Sequence, residues 1–324
     1  MIYIYKISCN LLALLDTLGL TTAEQVLRGT PIMKGFMVTV FLYALVMNVP
    51  CGQCTNAKVA LAVHGGVCTL QGFDVKLEAD KPNILSPTRE YCDVHVVSKL
   101  YNKYIMQQAA GDVDVFVHSW MTDITSTMMD AFLPLCAKFE VYSSVFSHLQ
   151  RVAANSRTVD IKWTARTLSM KRALHLVAEH EAIRGELYDF VILARPDVLL
   201  TRPIPIATLD RSKCYHDTGH SGTMDYFFMF NSTNAAKWAN LFDTLPELSD
   251  FTSTPHHLRT NGLSIWRSFA TSHLGQDMVE LDLVPGVATN VFRKAYYGEV
   301  HPSMCADLHS FGFKPKVAGP CNIN

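Results

Sequence analysis

Apolar positions in this chain fall into two patterns. Some form short unbroken runs, and others recur every three or four residues over longer stretches. Unbroken apolar runs bounded by turn residues read as strands covered on both faces, as in a parallel sheet. Such runs occupy residues 58–64, 113–120, 190–194, 225–230 and 278–284, with a short candidate at 139–142. Helical spacing appears at residues 94–110, through Val97, Leu100, Tyr104 and Ile105. It returns at 164–184, through Leu168, Leu174, Val177 and Ala178, where Gly185 is placed to stop the helix. Residues 231–241 follow the same spacing with Asn231 or Ser232 as cap, and so do 257–274. Residues 73–90, with Pro82 and Pro87, read as loop. There is no internal repeat and no long low-complexity linker. Strand and helix alternate, which predicts an α/β fold: one domain with a mostly parallel central sheet and flanking helices.

The first 57 residues break this pattern. Residues 35–57 carry no charged side chain, and the apolar core at 36–49 directly follows Lys34. That core is short for a membrane span, which needs about 20 apolar residues, and suits the core of a signal peptide. Three readings stay open: a cleaved signal peptide, a short type II signal anchor, or a buried helix. Arg28 and Lys34 would keep the N-terminus of an anchor on the cytoplasmic side. The organisation expected is a leader over 1–57 and a catalytic domain over 58–324, in the lumen of the secretory pathway (Golgi or endoplasmic reticulum) or secreted.

Cysteine usage fits such a compartment. Eight of the nine cysteines follow the apolar segment, an even number that would allow pairing in an oxidising environment. Cys51-Gly-Gln-Cys54 has metal or redox spacing, but no second such pair or nearby histidine pair accompanies it. Asn231-Ser232-Thr233 is an N-glycosylation sequon. The 28 basic residues nearly balance the 29 acidic ones, and no Lys/Arg run occurs, so nucleic acid is not an expected partner. An anionic ligand must be met by a few placed groups.

The most informative chemistry lies where the run at 190–194 meets Arg195-Pro196-Asp197. Proline cannot donate to a sheet ladder, so the strand ends there, with a cation and a carboxylate at its carboxyl edge. Open α/β folds bind ligands at that edge. The alternative is a salt-bridged strand cap. The first strand ends in Gly65-Gly66, which would allow a ligand close to the backbone. The strand at 113–120 ends in His118-Ser119-Trp120.

In order along the chain, these blocks resemble a glycosyltransferase family of GT-A (Rossmann-like) type. They are Ala62-Val63-His64-Gly65-Gly66, the Asp-Val-Phe-Val-His-Ser-Trp run at 114–120, Tyr188-Asp189 leading to Arg195-Pro196-Asp197, and the Asp-aromatic strand opening at Asp225. The resemblance covers roughly residues 58–300. It implies transfer of a sugar from a nucleotide-sugar donor to a glycan or glycoprotein acceptor. In such enzymes an Asp-x-Asp pair holds Mn²⁺ or Mg²⁺ against the diphosphate. Here the first acid is replaced by Arg195, which could meet a phosphate itself through a bidentate contact.

The resemblance implies Gly65, Gly66, Arg195 and Asp197 for the donor, and Asp197 with His301 (or His309) for a metal. Asp225 and Glu280 are implied for the acceptor hydroxyl, with Asp282 beside Glu280 as a further carboxylate. Bland readings stand beside these: a helix or turn cap for Asp225, ordinary solvent-facing positions in an alternating strand for Glu280 and Asp282, a chance placement for His301 and His309, core packing for Trp120, a strand-opening role for Asp114, and a solvated helix face for Lys171 and Arg172. The missing first acid also leaves open a catalytically inactive lumenal or secreted binding protein on the same fold. A phosphate-loop transferase and a serine hydrolase are disfavoured, since neither Gly-x-x-x-x-Gly-Lys-[Ser/Thr] nor Gly-x-Ser-x-Gly occurs.

Overall fold

The computed structural model describes residues 57–67, 91–109, 111–155, 161–216, 227–248, 269–275, 278–281, 289–291 and 304–313. All belong to a compact unit spanning Thr55–Asn324. Residues 1–56 of the expected leader, the loop at 73–90 and most of the helix expected at 257–274 lie outside the described residues.

The chain runs β1 (Val59–His64), α1 (Val94–Tyr101), β2 (Val113–Ser119), α2 (Thr125–Phe132), β3 (Cys136–Phe139), α3 (Tyr142–Asn155) and α4 (Ile161–Arg184). It continues through β4 (Phe190–Ala194), β5 (Val198–Leu200), β6 (Cys214–His216), β7 (Phe227–Phe230), α5 (Ser232–Trp238), α6 (Leu241–Leu248), β8 (Met278–Glu280), β9 (Thr289–Val291) and α7 (Cys305–Ser310). Seven strands form one sheet in the order β3-β2-β1-β4-β7-β6-β8, and β5 pairs with β9 in a second, two-stranded sheet. Strands β3, β2, β1 and β4 are parallel. Strand β7 is antiparallel to both its neighbours, and β8 is parallel to β6. This is the mostly parallel α/β arrangement expected from the sequence.

Both faces of the sheet are covered, which is why the central strands read as unbroken apolar runs. Along β1, Val59, Leu61 and Val63 join the core that includes α1, α2 and α7. Ala60 and Ala62 face the other core, which includes α4. The two small side chains let a 24-residue helix, about 36 Å long, lie close over the middle of the sheet. Gly185 ends that helix at φ 70°, with its N–H returning to the carbonyl of Glu181 at 2.8 Å.

Several boundaries differ from the sequence reading. The strand expected at 139–142 is Cys136–Phe139, and Tyr142 instead opens α3. Pairing with β2 decides this, since Phe116 to Ser119 match Cys136 to Phe139 in register. The helix expected at 94–110 is α-helical to Tyr101 and continues as a π-helical turn over Asn102–Met106. Asn231, one of the two expected caps, is the N-cap of α5 and accepts from the N–H of Asn234 at 2.8 Å. Cys92 and Cys305 are each disulfide-bonded, whereas Cys136 and Cys214 are free, so the eight cysteines after the apolar segment do not all pair.

Candidate active-site edge

The parallel strands place four basic side chains in a row at their carboxyl ends. His64 lies opposite His118, which lies opposite Lys138. Val63 pairs with Ala194, so Arg195 follows at the level of His64 on the other flank. The N-terminal half of α4 adds Arg166, whose charge reaches His64, and Arg172, 3.4 Å from Glu140. Four permanent cations (Arg195, Lys138, Arg166, Arg172) thus meet two carboxylates, Asp197 and Glu140. Chain neutrality conceals this local surplus.

At the centre is a hydrogen-bonded chain. The Nδ1 of His118 is 2.7 Å from the Ser169 hydroxyl, and its Nε2 is 3.0 Å from the Glu140 carboxylate. Burial lowers the His118 imidazole to a pKa of about 4, although the Glu140 hydrogen bond pulls the other way. The ring is therefore neutral near pH 7. It carries its proton on Nε2, donates to Glu140, and accepts the Ser169 proton on Nδ1. The Ser169 oxygen in turn accepts the N–H of Gly65 at 2.8 Å. Burial raises the Glu140 carboxyl, but the hydrogen bonds from His118 and Lys138 and the charge of Arg172 outweigh it, leaving the group below its ordinary value.

Serine, histidine and a carboxylate in this order do not make a nucleophile here. Ser169 is wholly buried within a helix and already engaged on both sides, so the chain pins α4 to the exits of β1 and β2. The turn it holds is Gly65, at φ 96°, a conformation open to glycine and strained for other residues.

Arg195 and Asp197 bracket the turn between β4 and β5. The guanidinium Nε donates to Asp197 Oδ1 at 2.8 Å and Nη2 to Oδ2 at 2.6 Å, a fork-to-carboxylate pair. Arg195 is 7% exposed and Asp197 0%. The Tyr101 hydroxyl donates to the Arg195 carbonyl at 2.6 Å, anchoring the turn to α1. Both Asp197 oxygens are thus engaged by a cation in a dry setting, and a divalent ion does not fit that carboxylate as it is held. Among the described residues no group of three His, Cys, Asp or Glu could hold a metal.

His64 differs from every neighbour in the row. It is 1% exposed, and neither ring nitrogen has a hydrogen-bond partner among the described residues. Burial first, then the charges of Arg195 and Arg166, hold its pKa well below the ordinary value.

The other residues named from sequence fall as follows. Gly65 and Gly66 sit at the β1 exit, where a Cβ on Gly66 would meet the Met121 sulfur at 3.3 Å. Trp120 packs edge-on against His118 and Tyr142, with centroids 4.6 and 6.0 Å away, and its N–H donates to the Ala165 carbonyl. Asp114 lies in β2 away from this edge, accepting from Arg184 at 2.8 Å and Tyr188 at 2.6 Å. Lys171 pairs with Asp243, while Arg172 belongs to the Glu140 cluster and not to a purely solvated face. Glu280 ends β8 opposite His216. His309 is exposed on α7. Asp225, Asp282 and His301 lie outside the described residues. Glu140 and Ser169 were not singled out from sequence; a polar residue within the buried stripe Leu168-Ser169-Met170 of α4 is the signal that could have found the latter. A shallow cavity of about 400 Å³, lined in part by Leu187, Asp189 and Asn231, opens at the opposite, amino-terminal end of β4.

No protein-family model matches the chain, and no curated protein matches it. Among solved structures it is similar to the apo form of mouse xyloside xylosyltransferase 1, with a TM-score of 0.36 and 8% identity over 70% of this chain and 85% of that one. A likeness of that size decides neither fold nor activity; the α/β class rests on the strands themselves. No helix among the described residues is long and apolar enough to cross a membrane.

Proposed function

We propose that this chain transfers a sugar from a nucleotide-sugar donor to a glycan or protein acceptor in the lumen of the secretory pathway. The observation that carries this reading is the surplus of four cations (Arg195, Lys138, Arg166 and Arg172) over two carboxylates at the carboxyl edge of β4, β1, β2 and β3, beside a glycine turn with open space around its Cα. A diphosphate is the kind of ligand such an edge would attract, because opposite charges attract and a buried cation such as Arg195 acts strongly on developing negative charge. In this reading Asp197 acts on Arg195: it holds the guanidinium fork in one orientation at the strand end. Arg195 then neutralises leaving-group charge that an Asp-x-Asp enzyme would hand to a metal. Asp225 and Glu280 remain the proposed groups for the acceptor hydroxyl. The disulfides of Cys92 and Cys305 fit an oxidising lumen.

A second reading is a transferase-like binding protein without turnover. The engagement of both Asp197 oxygens by Arg195 favours it. One experiment separates the two: the intact chain is incubated with a panel of uridine and guanosine diphosphate sugars, following nucleotide diphosphate release and melting temperature together. Release above the enzyme-free rate supports the transferase. Thermal stabilisation without release supports the binding protein. Neither response to any nucleotide would overturn both.

A further inference from the structure

We infer that Asn231 is an N-glycosylation site and that the fold accommodates the glycan without giving up a hydrogen bond. This rests on the lumenal reading above. The chain contains a single Asn-x-Ser/Thr sequon, Asn231-Ser232-Thr233. A cap residue with both amide ends engaged looks closed to modification, since Oδ1 accepts from the Asn234 N–H at 2.8 Å and Nδ2 donates to the Arg211 carbonyl at 3.0 Å. The chemistry of the linkage removes that objection. Attachment replaces one of the two Nδ2 hydrogens, so one N–H remains to donate and Oδ1 is untouched.

Space and direction agree. By the β4–β7 register, Val191 lies opposite Phe230, so Asn231 emerges at the amino-terminal end of β4. It lines the shallow 400 Å³ cavity there, beside Leu187, which is 64% exposed. Thr233, the hydroxyl residue of the sequon, is exposed too, whereas Ser232 is buried against Tyr188 and Glu181. A saccharide on Nδ2 would leave through this opening, at the opposite end of β4 from Arg195, and would not obstruct the candidate active-site edge.

In the transfer step the Nδ2–C1 bond forms while the bond from C1 to a lipid-linked diphosphate breaks. The diphosphate leaves with the bonding pair, and the Nδ2 proton passes to a base of the transferring enzyme. Donor and enzyme are those of the host lumen.

The test expresses the full chain in a secretory eukaryotic host with an Asn-Gly-Thr reporter at its C-terminus. Peptide N-glycosidase mobility shifts count the glycans, and the mass of the Asn231 peptide after release, which leaves aspartate, locates them. Thr233→Ala is the comparison, because it destroys the sequon and spares the Asn231 cap. Two glycans on the parent and one on Thr233→Ala are expected. A reporter glycan alone on the parent would overturn the assignment of Asn231 while leaving the lumenal reading standing. No glycan on either chain would overturn both.

Discussion

Acidification should unlock the sheet edge through His118. The ring is neutral in the fold, with a pKa of about 4 against an ordinary 6.5, because burial outweighs its bond to Glu140. An unfolded chain takes up a proton at this position as pH falls through 6.5, and the folded chain resists doing so. The histidine's contribution is therefore fully present above pH 6.5 and is lost as pH falls towards 4. The gap between about 4 and 6.5 corresponds to about 3 kcal/mol, a large share of a typical domain's stability. Glu140 adds loss at lower pH, since its depressed carboxyl contributes above its ordinary 4.5. His64, also held neutral, acts in the same direction as His118. Titrating wild type alone would merge the three, so the assay is urea denaturation of wild type and His118→Gln at steps from pH 7.5 to 4.5. At pH 7.5 the variant should be weaker by about 1–3 kcal/mol, from hydrogen bonds lost in a buried site. The deficit should shrink as pH falls, because only wild type carries the titrating ring. A deficit that stays constant across this range, or a His118 resonance titrating near 6.5 in the folded protein, would refute the reasoning.

Three further outcomes are expected. Ser169→Ala removes one of the two acceptors of the Gly65 N–H (the His118 carbonyl at 3.1 Å remains) and the partner of His118 Nδ1, and should cost about 1–3 kcal/mol in the same denaturation assay. Asp197→Asn leaves the Arg195 charge buried without its carboxylate and should cost about 3–5 kcal/mol, whereas Arg195→Met with Asp197→Leu should cost much less; equal losses would show that the pair is not the source. Loss of turnover in an Asp197 variant is consequently read only beside its melting curve. Gly185→Ala should cost about 1 kcal/mol through backbone strain alone, since φ is 70° and nothing lies within 4 Å of an added Cβ.

Much of the architecture was legible in one dimension. The run Phe190–Ala194 is strand β4 residue for residue, and Pro196 marks the turn after it. Gly185 stops α4, and Asn231 caps α5, because backbone conformation and capping are local properties that a residue carries wherever it sits. The short strand β3 was displaced by three residues in the sequence reading, since its bounds come from pairing with β2 and not from its own weak pattern. Chemistry divides along the same line. Sequence alone placed Arg195 and Asp197 at a strand end, but whether they present charges to a ligand or engage each other depends on χ angles and burial. The fold chose a bidentate pair for them. Glu140 and Ser169 lie 22 and 51 residues from His118, and no spacing rule connects them to it. Parallel pairing and the path of α4 bring them together. Local order came from the residues themselves, because caps, turns and apolar runs act over a few positions. The hydrogen-bonded edge came from tertiary structure, because it joins groups that meet only once β1, β2, β3 and α4 have packed.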